Sequence, residues 1–344
     1  ATSEQITGGT KPSGLANPNV KWEESRQTDI GIDMAFFGNR LTFVADWYHK
    51  KTAGMLLSMP VPGYSGDSAP TGNLGDMLNQ GIELDLGYRN SAGDFNYHAS
   101  INATYNKNTL TYLGDDAPSL YCSNHQTGQL TRGLVGLPFP YFYGFKSDGI
   151  FQNMDEVKAY TNAEGNMIMP NAEPGDVRFV DIDGDGVIGD GDKTYIGKGI
   201  PDWVFGLNLG FDWKGLDFSI LLQGQLGAQA YNVSRRIDLG AVNLPKYMLN
   251  RWTGEGTTNK YPKFEVGDAT NYVVSDVWVE DASFLRARNV QLGYTLPQNI
   301  TKKFFVQRLR VYAQAENLFT LTRYQGCDPE VTGGNSSYGT EVGI

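Results

Sequence analysis

Apolar and polar residues alternate along Trp203–Leu226 for longer than an ordinary strand requires. Trp203, Phe205, Leu207, Leu209, Phe211 and Trp213 share one parity, and Val204, Gly206, Asn208, Gly210 and Asp212 the other. After Lys214-Gly215 the alternation resumes, with Leu216, Phe218, Ile220 and Leu222 against Asp217, Ser219, Gln223 and Gln225. A period of two predicts strands, and a short break containing glycine predicts a hairpin. About eleven residues at about 3.3 Å each reach roughly 36 Å, against about five or six residues in a common strand. Tilted by about 40°, such a strand rises roughly 28 Å, close to the apolar band of an outer-membrane barrel. Trp203 and Trp213 close the two ends of the apolar row, where aromatic girdles would lie. The competing reading of this hairpin alone is a long two-faced sheet in a soluble protein.

Three further hairpins follow the same rule. Ile30, Ile32, Met34 and Phe36 alternate with Asp29, Gly31 and Asp33; Gly38-Asn39 turns the chain into Leu41–Tyr48. Ile82–Tyr88 alternates, residues 90–94 turn, and Phe95–Tyr105 alternates again. Val290, Leu292 and Tyr294 are joined by residues 297–307 to Leu309, Val311, Ala313 and Ala315. Residues 1–25, 51–79, 107–202, 227–281 and 320–344 read as loops, with a short strand expected within 141–152 and a helix near 246–252. Short turns at one end and long loops at the other match barrels with periplasmic turns and extracellular loops. The loops would then lie outside the cell, and the chain would end outside, one descending strand short. Ile32, Leu84, Leu207, Leu209 and Ile220 are expected to face lipid, and Asp33, Glu83, Asn208 and Ser219 the lumen. Asp29, Asp46, Asp85, Asp212, Asp217, Gln223, Gln225, Gln314 and Glu316 extend that polar wall.

Composition agrees. The chain has 344 residues, among them 42 Gly, 19 Tyr and 17 Phe, which favours strands and turns over helices. No apolar run is long enough for a spanning helix, a test that barrels escape. A net charge of −10 argues against nucleic acid as a partner. Cys122 and Cys327 make neither a disulfide framework nor a metal site. His49, His98 and His125 are isolated in sequence. Gly63-Tyr64-Ser65-Gly66 is not a nucleophile elbow. Gly184–Gly189 matches GxGxxG, but the surrounding aspartates would repel a pyrophosphate. A glycoside hydrolase would need two carboxylates across a cleft, and none of the many here is singled out. Catalytic residues are therefore none, and the chain is not expected to be an enzyme.

Several segments resemble the C-terminal half of SusC/RagA-type TonB-dependent transporters of Bacteroidetes. They are Asn17-Pro18-Asn19-Val20-Lys21-Trp22-Glu23 before a strand, Tyr143–Gln152 (YGFKSDGIFQ), Gly175-Asp176-Val177 leading into Asp181–Gly186 (DIDGDG), Ser283–Val290 (SFLRARNV) with Leu292-Gly293-Tyr294, Glu316-Asn317-Leu318-Phe319, and Asp328-Pro329-Glu330. They occur in the family's order and span nearly the whole chain. The resemblance implies an all-β fold, with residues 1–344 the C-terminal portion of an antiparallel transmembrane barrel of about 22 strands. The plug, the early strands and the last strand would lie outside these residues. It also implies TonB-energised import across the bacterial outer membrane, with a SusD-like surface lipoprotein capturing cargo. Oligosaccharides are the favoured cargo and peptides the alternative within the class. From another class, a secreted β-rich glycan-binding module remains open. Substrate-binding residues are not singled out; the loop aromatics Tyr64, Tyr121, Trp252 and Tyr261 would stack on sugars or pack within the loops.

Asp181–Asp192 also carries calcium-loop spacing. An EF-hand-type loop takes oxygens from positions 1, 3, 5, 7 and 12, with glycine at 6. Here those are Asp181, Asp183, Asp185, the Val187 carbonyl and Asp192, with Gly186 at the turn. Calcium is the expected ion, because clustered carboxylates repel one another unless neutralised. Asp at position 12 reaches less far than Glu, and residues 176–180 read as extended where an EF-hand has a helix. A metal-free Asp-Gly turn is the competing reading.

Overall fold

A computed structural model describes residues 17–58, 70–114, 119–125, 128–232, 243–265, 267–268 and 270–330, and all their side chains except those of 58 and 121–125. In chain order the strands are β1 (Glu24–Phe36), β2 (Leu41–Ser58), β3 (Thr71–Ala92), β4 (Phe95–Leu113), β5 (Leu120–His125), β6 (Gly128–Gly133), β7 (Tyr141–Phe145), β8 (Ser147–Ile150), β9 (Val177–Phe179), β10 (Lys193–Gly197), β11 (Trp203–Trp213), β12 (Leu216–Leu226), β13 (Gln229–Tyr231), β14 (Val279–Asp281), β15 (Phe284–Thr295), β16 (Arg310–Glu316) and β17 (Thr320–Thr322).

The eight long strands form one antiparallel sheet in the order β1-β2-β3-β4-β11-β12-β15-β16, with β17 beside β15. Neighbours in sequence are neighbours in space, apart from the two excursions that leave and rejoin the sheet. The β11–β12 hairpin matches the expected one: Trp203 stands opposite Leu226 and Trp213 opposite Leu216. Its two-residue turn has φ 47° at Lys214 and 89° at Gly215, the left-handed pair that suits a tight hairpin.

Register shows why the alternation matters. Directly opposed residues share a face. Met34, Phe43, Leu86, Ile101, Leu207 and Leu222 form one cross-strand row. Leu209, Ile220, Val290 and Ala315 belong to the next. Toward the loops the row is Ile30, Trp47, Ile82, Tyr105 and Trp203. Toward the turns, Phe95, Trp213, Leu216, Tyr294 and Val311 end it. Rings touch at both levels: Tyr105 and Trp203 lie 5.2 Å apart, and Phe211 lies 5.5 Å from both Phe95 and Phe218. An apolar face two aromatic bands high is what a lipid-facing barrel wall requires.

Each of the five segments read as loops contains some strand. β2, β3 and β4 have 18, 22 and 19 residues, against 11 in β11, so residues 51–58, 71–79 and 107–113 continue the sheet well past its apolar band. The alternation is lost there, and register shifts around Met55 disturb the parity further. The turn expected at 90–94 narrows to Gly93-Asp94, because β3 runs to Ala92. Within 320–344, Thr320–Thr322 pairs with Phe284–Arg286.

The two excursions fold together. Leu130, Phe142 and Ile196 from the first pack with Tyr231, Tyr247, Tyr261, Tyr272 and Trp278 from the second in one buried core. The stretch 141–152 forms two strands that diverge into different sheets, β7 with β10 and β8 with β9. Its residues fasten the first excursion to the second. The Phe145 N–H donates to the Val274 carbonyl at 2.9 Å, the Ser147 hydroxyl to Asp276 at 2.6 Å, and the Ile150 N–H to Asn259 at 2.7 Å. Buried Asn271 accepts from the Val177 N–H and donates to Asp176, both at 2.8 Å. The helix expected near 246–252 is a short 3₁₀ helix, Lys246–Asn250.

Gly144 is required by close approach: a Cβ there would sit 2.3 Å from the Val274 carbonyl oxygen. Gly144→Ala is expected to destabilise this unit by about 1–3 kcal/mol, as overpacking against backbone does. Limited proteolysis of residues 128–282 would measure it; wild-type resistance would contradict the packing described.

Candidate functional site

The face opposite the apolar one is polar across all eight strands. Asp33, Val44, Asp85, Asn102, Gly206, Gln223 and Arg286 form one row. Gly31, Asp46, Glu83, Thr104, Val204 and Gln225 form another. Thr42, Gly87, Ser100, Asn208, Leu221, Asn289 and Glu316 form a third. Asp29, Asp212, Asp217 and Gln314 share this face, so every residue assigned to the polar wall from alternation lies on one side. Val44, Val204 and Leu221 are apolar intrusions that alternation does not explain. Arg310 grips Asp217 through two parallel hydrogen bonds, Nε to Oδ1 at 2.9 Å and Nη2 to Oδ2 at 2.5 Å. His49 and His98 stand on opposite faces and share no site.

The segments Ser283–Val290, Glu316–Phe319 and Asp328–Glu330 meet on this wall, near its loop end. β15 shifts register against β12 between the partners of Leu221 and Leu222, Asn289 and Ala287, which makes Arg288 the extra residue of a bulge. A bulge re-aims side chains. Ala287 stays with Leu222 on the apolar face, while Arg288 joins Arg286 and donates from Nε to Gln223 at 3.0 Å. Across the pair, Asn317 has φ 50°, a left-handed turn that asparagine tolerates, and its N–H donates to the Arg288 carbonyl at 3.1 Å.

Arg286 is the hub of this cluster. Its side chain is only 6% exposed. It donates from Nε to the Thr320 hydroxyl at 3.0 Å, from Nη1 to Glu330 at 2.9 Å and from Nη2 to Asp328 at 2.5 Å. Burial alone would raise the pKa of Asp328. The Glu330 N–H and the Arg286 guanidinium outweigh that and hold its carboxyl below the usual range. The strap of residues 323–330, which carries Asp328 and Glu330, also docks on the excursion unit: Tyr324 packs on Ala228, Ala230 and Ala282, and Gln325 donates to the Tyr261 hydroxyl at 3.1 Å. A cleft of about 290 Å³ lies between strap and wall, lined by Arg286, Asn317, Thr320, Thr322, Cys327 and Asp328. Alternation does not reveal this cluster, because Asp328 and Glu330 lie in a stretch that reads as loop.

Of the loop aromatics, Tyr261 is core and Trp252 lies against Gly175, donating from Nε1 to Gln152 at 3.3 Å. Tyr64 and the Tyr121 side chain lie outside the described residues.

The acidic loop folds on itself. Asp181 accepts from the Gly184 and Gly186 N–H groups at 2.7 and 2.9 Å, Asp183 from Asp185 at 3.1 Å, and Asp185 from Val187 at 2.9 Å. One carboxylate oxygen from each of Asp181, Asp183 and Asp185 lies within 4.8 Å of the others. Buried Asp192 is engaged elsewhere: Oδ1 accepts from Ile182 and Oδ2 from Gly189, at 2.6 and 2.7 Å. Val187 is exposed.

The chain can be set beside known proteins on this geometry. Residues 2–318 match the family model described as TonB dependent receptor-like, beta-barrel. TonB-dependent receptor P3 of Formosa agariphila is 32% identical over 349 residues, covering 99% of this chain and 34% of that protein. TonB-dependent receptor SusC of Bacteroides thetaiotaomicron is 30% identical over 331 residues, covering 92% and 30%. Among solved structures, the RagAB peptide transporter superposes with a TM-score of 0.77 at 28% identity, over 99% of this chain and 37% of that one. The RagAB peptide importer in its open-open state gives 0.75 at 27% identity, over 98% and 36%. The chain thus spans about a third of the length of the curated relatives it matches. An apolar wall, a polar wall and this family match over nearly the whole chain lead to one conclusion: the chain belongs to the TonB-dependent receptor-like β-barrel family.

Proposed function

We propose that the chain forms part of the barrel of a TonB-dependent importer in the bacterial outer membrane. The importer takes up oligosaccharides together with a SusD-like surface lipoprotein. The turn end of the sheet faces the periplasm and the excursion unit faces outward. The observation that carries this reading is the continuous polar wall behind an apolar face. Its hydroxyl, amide and carboxylate groups offer donors and acceptors at short spacing, which suits a polyhydroxylated cargo that must bind and let go. Peptide is the second reading, favoured by the likeness to the RagAB peptide importer. The test is capture of labelled oligosaccharide and peptide pools by the intact transporter with its lipoprotein. Oligosaccharide retention is expected; retention of peptides alone would replace the first reading by the second.

The acidic loop is proposed to hold calcium through Asp181, Asp183, Asp185 and the Val187 carbonyl, with Asp192 bracing the loop from within. Three converging carboxylates fit a hard cation that takes oxygen ligands. The ion would neutralise them and stiffen the excursion unit beside the lipoprotein. Calcium titration of the intact complex is expected to show one site fewer for Asp183→Ala with Asp185→Ala, and faster proteolysis of this loop. Equal calcium content and equal protease resistance would end the proposal.

A further inference from the structure

Phe305 is 98% exposed and Phe304 72% exposed. Both lie in residues 296–309, the longest connection at the turn end of the sheet. The connection is ordered: a short helix, Gln298–Thr301, runs into a 3₁₀ turn, Lys302–Phe304. Thr301 is buried, and its carbonyl accepts from the Val306 N–H at 3.1 Å. Phe305 has φ 59°, a left-handed conformation that a bulky residue rarely adopts and that marks a constrained position. Two aromatic rings are thus held clear of the protein by a folded backbone.

Their surroundings point to a partner. Leu296 donates to the Leu309 carbonyl at 2.9 Å, and this pair continues by parity the apolar row that ends at Tyr294 and Val311. Ile300, Val306 and Leu309 are exposed as well. Lys302 and Lys303 are exposed, and no ion pair engages them among the described residues. Aromatic rings beside lysines, just past the last aromatic band of a lipid-facing wall, have the composition of an interfacial anchor.

We propose that residues 296–309 dock on the membrane itself. Phe304 and Phe305 enter the boundary between headgroups and acyl chains in the leaflet at the turn end, and Lys302 and Lys303 meet the lipid phosphates. The inference rests on the membrane reading above, and its test separates the two. The intact transporter, with Cys122→Ser and Cys327→Ser, would carry one spin label at a time at Leu209→Cys, Asp94→Cys or Phe305→Cys in lipid nanodiscs. Accessibility to oxygen and to a water-soluble nickel complex reports depth. Labels at 209 and 305 are expected to favour oxygen, and the label at 94 nickel. A label at 305 that behaves like the one at 94, or that neither reagent reaches, would overturn the anchor while 209 still reported lipid. A water-exposed label at 209 would overturn the membrane reading as well. With more anionic phosphatidylglycerol, the label at 305 is expected to sink deeper, and Lys302→Gln with Lys303→Gln to abolish that shift. An equal shift in both proteins would remove the lysines from the proposal.

Discussion

Arginine at Leu207 is expected to destabilise the folded protein by about 2–4 kcal/mol, and arginine at Asn208 by far less. The two positions are adjacent, so strand propensity and backbone environment hardly differ between them. What differs is the face. Leu207 stands between Ile101 and Leu222 in the middle of the apolar band, where a guanidinium must be dragged from water into hydrocarbon. Asn208 stands between Ser100 and Leu221 on the polar wall, where a charge remains hydrated. Denaturant unfolding of each variant in detergent or lipid gives the comparison. Equal losses at both sites would contradict the assigned faces.

Removal of the Arg286 side chain is expected to release the strap of residues 323–330, at a cost of about 2–3 kcal/mol. Hydrogen bonds to charged groups contribute about 1.5–3 kcal/mol each. The three bonds do not add in full, because Asp328 is 53% exposed and can return to water when its partner is lost. Arg286→Lys is expected to rescue little, since an ammonium cannot serve Thr320, Asp328 and Glu330 at once in a planar fork. Acid is expected to act in the same direction. Asp328 is held below its ordinary pKa, so its contribution is complete above the unfolded value of about 4 and is lost as pH falls through the lower folded value. Tryptic cleavage after Arg323 reads the release directly. Unchanged cleavage in Arg286→Ala would mean that the strap is held by Tyr324 and Gln325 alone.

Legibility followed the solvent. Where one face meets lipid and the other water, as in Trp203–Leu226, alternation gave strand, turn and face to the residue. Above the band, residues 51–58 and 71–79 lost alternation although they remain strand. The first three residues of the motif Arg286-Ala287-Arg288-Asn289 look like part of a simple alternation, and the bulge that puts Arg288 on the same side as its neighbour Asn289 is invisible in it. The excursion unit is held by a core of aromatics from two distant stretches, and neither stretch has a period that announces the other. The spacing Asp181-x-Asp183-x-Asp185 did mark residues that converge, because such a loop is local. The cluster around Arg286 was signalled only by family likeness: residues 286 and 328 are brought together by tertiary structure alone.

The central claim is that this sheet separates lipid from a watery lumen, one side chain at a time. Single cysteines placed from Val204 to Asp212 in the otherwise cysteine-free intact transporter, in membranes, can be challenged with a small water-soluble thiol reagent. Positions 204, 206, 208, 210 and 212 are expected to react, and 205, 207, 209 and 211 to be protected. Reaction without a period of two, or protection at the even positions and reaction at the odd ones, would contradict the account.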